Sequence, residues 1–144
     1  MAGTVTITSM SNEVADGRNE IVIDWLSDAS GDATGDIASL FSATQAEYAR
    51  ATPSKIKGRI TKVLVSPGLL GDRSTTCPAT IYTLTLKDEY AHEIIGNNLA
   101  DLSTSLAQSY VPATPIPVDS EISFAIASAG NAKKGRVIIY LEAL

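Results

Sequence analysis

The C-terminal stretch constrains the fold more than any other part of the chain. From Val118 to Leu141, two apolar runs flank a polar connector. In the first run Ile122, Phe124 and Ile126 alternate with Ser123, Ala125 and Ala127. In the second, Val137, Ile139 and Leu141 alternate with Ile138 and Tyr140. Successive side chains of a strand point to opposite faces, so a period of two marks half-buried strands. The connector Ala129-Gly130-Asn131-Ala132-Lys133-Lys134-Gly135 holds two glycines and an asparagine, residues that tolerate positive φ. The pair predicts an antiparallel hairpin closing an all-β fold.

The rest of the chain keeps that rhythm with one interruption. Thr4 to Ser9 sets Val5 and Ile7 among threonines, as a first strand or an arm that pairs with a neighbour. Residues 11–19 are turn-rich. Glu20 to Leu26 is a strand with Ile21, Ile23 and Trp25 on one face. Lys55 to Ser66 is a long strand whose apolar positions change phase between Ile60 and Val63, the mark of a β-bulge or of burial on both faces. Pro67 to Pro78 is a loop. Ala79 to Lys87 is a strand with Tyr82, Leu84 and Leu86 inward, and Ile94-Ile95 is a short one. Val111 to Pro117 carries three prolines, which restricts it to a sheet edge.

The interruption runs from Asp36 to Ala51. Ile37, Leu40, Phe41 and Tyr48 fall on one face at helical spacing, Asp36 is a candidate N-cap, and four alanines favour helix. Pro53 ends it, which leaves a helix of about three turns whose apolar stripe reads as a lid over a sheet. Leu99, Leu102 and Leu106 suggest a second short helix capped by Asn98. The chain of 144 residues therefore reads as a single antiparallel β-sandwich, jelly-roll-like, with residues 1–19 as an N-terminal arm and residues 36–51 as a short helical insertion.

Composition narrows the function. A formal net charge of −5 lacks the phosphate-neutralising drive of a nucleic-acid binder. The two basic groups, Lys55 to Lys62 and Lys133 to Arg136, read as solvated edge or hairpin-tip residues. No apolar run approaches the roughly 20 residues of a membrane span. The N-terminus has no basic region followed by an apolar one, so no signal peptide is expected. With Cys77 as the only cysteine, no disulfide framework exists. Together these point to folding in a cytoplasm, with neither nucleic acid nor membrane as partner. Charged residues make up only 19% of the chain, below the usual quarter, which fits equally a surface partly kept against other protein or a well-filled core.

Catalytic chemistry finds little to work with. His92 is the only histidine. Glu89, His92 and Glu93 would share a face only if their segment were helical, and a solvated histidine is the ordinary reading. A Cys77–His92 dyad lacks a supporting motif. No P-loop, G-x-S-x-G or G-x-G-x-x-G is present. Asp28, Ser30 and Asp32 alternate as in a calcium loop, but the glycine and the closing glutamate are out of place, so a solvated turn is expected. No enzyme activity, metal or cofactor is expected.

Several segments, in order, carry a resemblance: Trp25-Leu26-Ser27-Asp28-Ala29-Ser30-Gly31 after a strand, Ile60 to Gly68 as a strand running into a Pro-Gly turn, Pro78, Tyr82, Leu86 and Asp88 as P-x-x-x-Y-x-x-x-L-x-D, and Ala129 to Gly135 as A-G-N-x-K-x-G before an apolar strand. Across about Ile21 to Leu141 the chain resembles small virion proteins of tailed bacteriophages. It departs from them in the insertion at Ile37 to Ala51 and at Ala91-His92, where such proteins tend to have glycine after an acidic pair. The resemblance implies a non-enzymatic structural protein of the virion, made in the host cytoplasm. The first expectation is a decoration (cement) protein on the outer surface of the head, bound to the major capsid protein or other virion proteins. A homo-oligomer, commonly a trimer at three-fold positions, would match the lattice. The alternatives are a neck, tail or fibre-attachment component, or a soluble β-sandwich binding module. Candidate contact residues are Thr4, Val5, Thr6 and Ile7 in the arm, Leu40, Phe41 and Tyr48 in the insertion, and Pro115 and Pro117 at the proline-rich edge.

Overall fold

The computed structural model describes residues 3–13, 18–36, 56–68 and 77–142, with the backbone alone for 4–13, 18, 19 and 36. Nine strands are described: β1 (Thr4–Glu13), β2 (Arg18–Leu26), β3 (Ala33–Asp36), β4 (Ile56–Pro67), β5 (Thr83–Lys87), β6 (Gln108–Tyr110), β7 (Ile116–Ser120), β8 (Ser123–Ala127) and β9 (Lys134–Glu142). They form two antiparallel sheets. The larger has the order β1-β2-β9-β4-β6, with β7 also pairing β4, and the smaller has the order β3-β8-β5. The sheets pack face to face as a β-sandwich, and among the described residues there is no helix.

The alternation read from the sequence sets what each strand buries. Ile21, Ile23 and Trp25 of β2 and Val137, Ile139 and Leu141 of β9 are buried, and so are Leu84 and Leu86 of β5 and Phe124 and Ile126 of β8. Each such side chain withdrawn from water contributes about 1.5–3 kcal/mol before the entropy of ordering is counted. In β4 the phase change is a bulge: the pairing with β9 shifts register between Ile60 and Lys62. The extra residue lets Ile56 and Ile60 on one side of it, and Val63 and Val65 on the other, all enter the core.

The expected closing hairpin does not form. β8 pairs with β3 and β5, whereas β9 pairs with β2 and β4. The two strands lie in opposite sheets and bury their alternating residues in one core from its two sides. A period of two specifies the buried face of a strand and not its neighbour. The connector carries left-handed residues at Ser128 (φ 70°), Gly130 (φ 92°) and Ala132 (φ 54°), which take the chain from one sheet to the other.

Three further expectations meet corrections, and that of the helical insertion falls outside the described residues. The turn-rich reading of residues 11–19 fails at both ends, because β1 runs to Glu13 and β2 starts at Arg18. The stretch after Asp28 is not wholly a turn, because Ala33–Asp36 forms β3 opposite β8. Asp36, the expected N-cap, is the last residue of that strand; residues 37–51 of the expected helix lie outside the described residues. The second helix is absent: Leu99 and Leu102 are buried while Leu106 is 68% exposed. Asp101, inside the expected helix, takes a positive φ of 53° and breaks helical geometry. The segment covers the open side of β5 instead, through Ile94 N–H to Leu86 O at 2.8 Å, Leu84 N–H to Leu99 O at 3.0 Å and Leu102 N–H to Tyr82 O at 2.7 Å.

Candidate functional site

The expected contact residues fall at two places far apart. Thr4, Val5, Thr6 and Ile7 belong to β1 and register with Leu26, Trp25, Asp24 and Ile23 of β2. Pro115 and Pro117 lie at the opposite edge, Pro117 in β7 across from Arg59 of β4. Four strand spacings, about 19 Å, separate the two edges. Leu40, Phe41 and Tyr48 lie outside the described residues.

The edges differ in how they are finished. Prolines interrupt the β6–β7 side, and the 94–102 segment hydrogen-bonds along β5. β1 is ten residues long, TVTITSMSNE, without proline, lysine or arginine. Its one irregularity is a register shift between Ile7 and Ser9. Among the described residues no strand pairs with its outer side.

Ser27–Gly31 and Ala129–Lys133 meet in space. Ser27 N–H donates to Lys133 O at 2.8 Å, Lys133 N–H donates to Ser27 Oγ at 2.8 Å, and Ser27 Oγ–H donates to Gly130 O. Ala129 N–H donates to Gly31 O at 2.9 Å. Gly31 takes a φ of +90°, and a Cβ there would stand 2.8 Å from Gly130 N, so no other residue fits this approach. The W-x-S-D-A-S-G and A-G-N-x-K-x-G segments therefore form one corner joining the two sheets.

That corner accounts for its own acidic groups. Asp28 Oδ1 accepts Ser30 N–H at 2.8 Å and Asp32 N–H at 3.0 Å. These backbone donors hold the Asp28 carboxyl below its ordinary value of 3.8, the Asp32 amide most strongly. Asp32 Oδ1 accepts Ser128 N–H at 3.4 Å. The pattern is an Asx turn with a cross-loop tie. Among the described residues no group of three or more metal-ligating side chains occurs.

Of the basic groups, Lys57, Arg59 and Lys62 lie in β4 and Lys134 and Arg136 in β9, within the larger sheet, Lys133 lies in the corner connector, and Lys55 lies outside the described residues. Arg136 donates through Nε and Nη2 to both carboxylate oxygens of Asp24, at 2.7 and 3.0 Å. Hydrogen bonding to Asp24 raises the Arg136 pKa further. Lys62 Nζ sits 5.5 Å from the centre of the Tyr140 ring, and Arg59 Nη1 lies 3.9 Å from Glu142 Oε1. Cys77 and His92 do not meet. Cys77 neighbours Tyr82, whose phenol is pushed up mainly by burial and further by that thiol. The His92 Nδ1 lies 4.0 Å from Asp88 Oδ2 with its side chain 77% exposed. Tyr82 and Asp88 flank β5 at opposite ends, about 20 Å apart.

Sequence reasoning missed one concavity. A groove of about 300 Å³ opens between β7 and the turn that follows β5. Ile94, Ile116 and Val118 supply apolar lining, and Asp88, Asp119 and Tyr90 supply its polar rim. The turn is tightly built: Asp88 Oδ1 accepts Tyr90 N–H at 2.9 Å and His92 N–H at 3.0 Å, and Ala91 takes a φ of 62°. Glu89 N–H donates to Ser120 Oγ at 3.0 Å, tying the turn to the end of β7. The signal available beforehand was D-E-Y-A-H, an Asx-turn pattern with an aromatic at its tip.

Compared with protein-family models, with curated proteins and with solved structures, the chain has no significant match.

Proposed function

We propose that this protein is a non-enzymatic structural component of a tailed-bacteriophage particle, a decoration protein that binds the outside of the head and stabilises the shell. The observation that carries the reading is the outer edge of β1. A ten-residue edge strand without proline, lysine or arginine lacks the usual residues that discourage strand addition. Strand addition gives affinity through main-chain hydrogen bonds with little demand on sequence.

A decoration protein acts by mass action. It favours the assembled shell because only the assembled shell presents its site, and its own symmetry matches that of the lattice. In this reading Thr4 to Ile7 make the strand contacts, a homotrimer sits at three-fold positions, and the major capsid protein is the partner. Pro115 and Pro117 mark the opposite edge, closed to the same kind of pairing.

The test is binding to preformed, undecorated heads. Saturable binding at symmetric positions, weakened at least tenfold by Thr6→Pro together with Thr8→Pro, is the expected result. Binding to the neck or tail alone would move the protein to those parts, and no binding to any virion component would refute the reading. Circular dichroism of the variant shows whether the sandwich survives. If it does not, Thr6→Lys with Thr8→Lys, which leaves the backbone donors in place, makes the same test.

A further inference from the structure

We propose that the groove between β7 and the Asp88–His92 turn binds the side chain of a lysine carried on an extended segment of another protein subunit. The inference does not depend on where in a particle, or in what assembly, that subunit resides.

The chemistry of the groove selects the occupant. Its lining combines apolar Ile94, Ile116 and Val118 with acidic Asp88, Glu89 and Asp119 and with His92, and includes no lysine or arginine. A four-carbon stem buries along such a surface while its charged head stays at the rim. Tyr90, 84% exposed at the tip of the turn, offers a ring face to a cation.

Hydrogen bonding favours lysine over arginine. Asp88 Oδ1 is already engaged by the Tyr90 and His92 amides. Oδ2 takes neither of these amides and lies 4.0 Å from His92 Nδ1. A guanidinium binds best to two oxygens of one carboxylate, whereas an ammonium is a point charge that can use one oxygen from each of two. Asp88 and Asp119, on opposite walls, present that second arrangement.

The walls are held apart before any ligand arrives. The Asx turn fixes Asp88 and Tyr90, and Glu89 N–H on Ser120 Oγ fixes the turn against β7. Two cations of the chain itself lie close by, Lys57 opposite Asp119 in the β4–β7 register and Lys87 next to Asp88, and neither is a lining residue. β7 pairs with β4 on one side and with no described strand on the other.

The test uses the ¹⁵N-labelled full chain titrated with the blocked tripeptide acetyl-Gly-Lys-Gly-amide, and in parallel with its norleucine and arginine counterparts. The expected result is saturable shifts confined to amides of residues 88–94 and 116–120. Lysine should bind about fivefold more tightly than norleucine, and about fivefold more weakly to Asp119→Asn and to Tyr90→Ala. Both substituted side chains are exposed, and retained spectral dispersion shows that the variants fold. Equal binding of the norleucine peptide, tighter binding of the arginine peptide, unchanged binding to both variants, or no localised shift at about 20 mM peptide would each overturn the assignment.

Discussion

Trp25 lies directly against Gly135, its partner in the β2–β9 register. A Cβ on Gly135 would stand 2.6 Å from Trp25 Cε2, closer still to Cζ2, and 2.9 Å from Ser66 O. The glycine is thus a space requirement created by the indole, and the two residues fix how β2, β9 and β4 meet beneath the corner.

Gly135→Ala should therefore destabilise the fold by about 3 kcal/mol through overpacking, or roughly 10 °C in melting temperature. Trp25→Phe should restore part of that loss in the double variant, because the smaller ring leaves room for the methyl group. The indole Nε1 is buried without a hydrogen-bond partner among the described residues, so its removal costs less than a bonded group would. Thermal melts of the two single variants and the double variant measure the coupling; strictly additive losses would show that the contact is not the cause.

Ala91 holds a left-handed backbone with a φ of 62° in the Asp88 turn. An L-residue there is strained by roughly 1–2 kcal/mol, partly offset by the smaller chain entropy that alanine loses on folding. Ala91→Gly should accordingly stabilise the protein by about 0.5–1 kcal/mol. Urea denaturation is the check, and a lower midpoint for the glycine variant would contradict the reading.

The Asp24–Arg136 pair is two-pronged but partly solvated, with side chains 20% and 32% exposed. Solvent screening limits its coupling to about 1 kcal/mol in a double-variant cycle of Asp24→Asn and Arg136→Gln. That coupling should shrink in 1 M salt (Debye length about 3 Å). A coupling near zero at low salt would remove the pair from the account of the larger sheet.

Acid stability should report on Asp28. Its carboxyl is held below its ordinary value by the backbone donors, so the ionised form is the one the fold favours. The resulting stabilisation is present above the ordinary carboxyl pKa and is lost as pH falls through the lowered folded value. Asp28→Asn should flatten the dependence of stability on pH below about 4 and leave the slope near neutrality unchanged. An identical acid limb in the variant would show that Asp28 does not contribute.

Much of the sandwich was legible because alternation reports burial. Ile21, Ile23 and Trp25, the run Tyr82, Leu84 and Leu86, and the bulge after Ile60 were all readable from spacing. Pairing was not, since β8 and β9 carry the same signal whether they neighbour each other or face each other across a core. β3 was hidden because A-T-G-D has one apolar side chain and gains its place from β8. The leucines at 99 and 102 imitated a helix because burial against β5 leaves the same spacing as a helical stripe. The groove was illegible because its walls, Asp88 to Ile94 and Ile116 to Ser120, are brought together only by the fold.

The most direct measurement is the copy number of this chain in purified particles relative to the major shell protein, by quantitative mass spectrometry. A decoration protein should be present in numbers comparable to the shell subunit. A handful of copies would mean a neck or tail component, and complete absence from particles would contradict the virion reading itself.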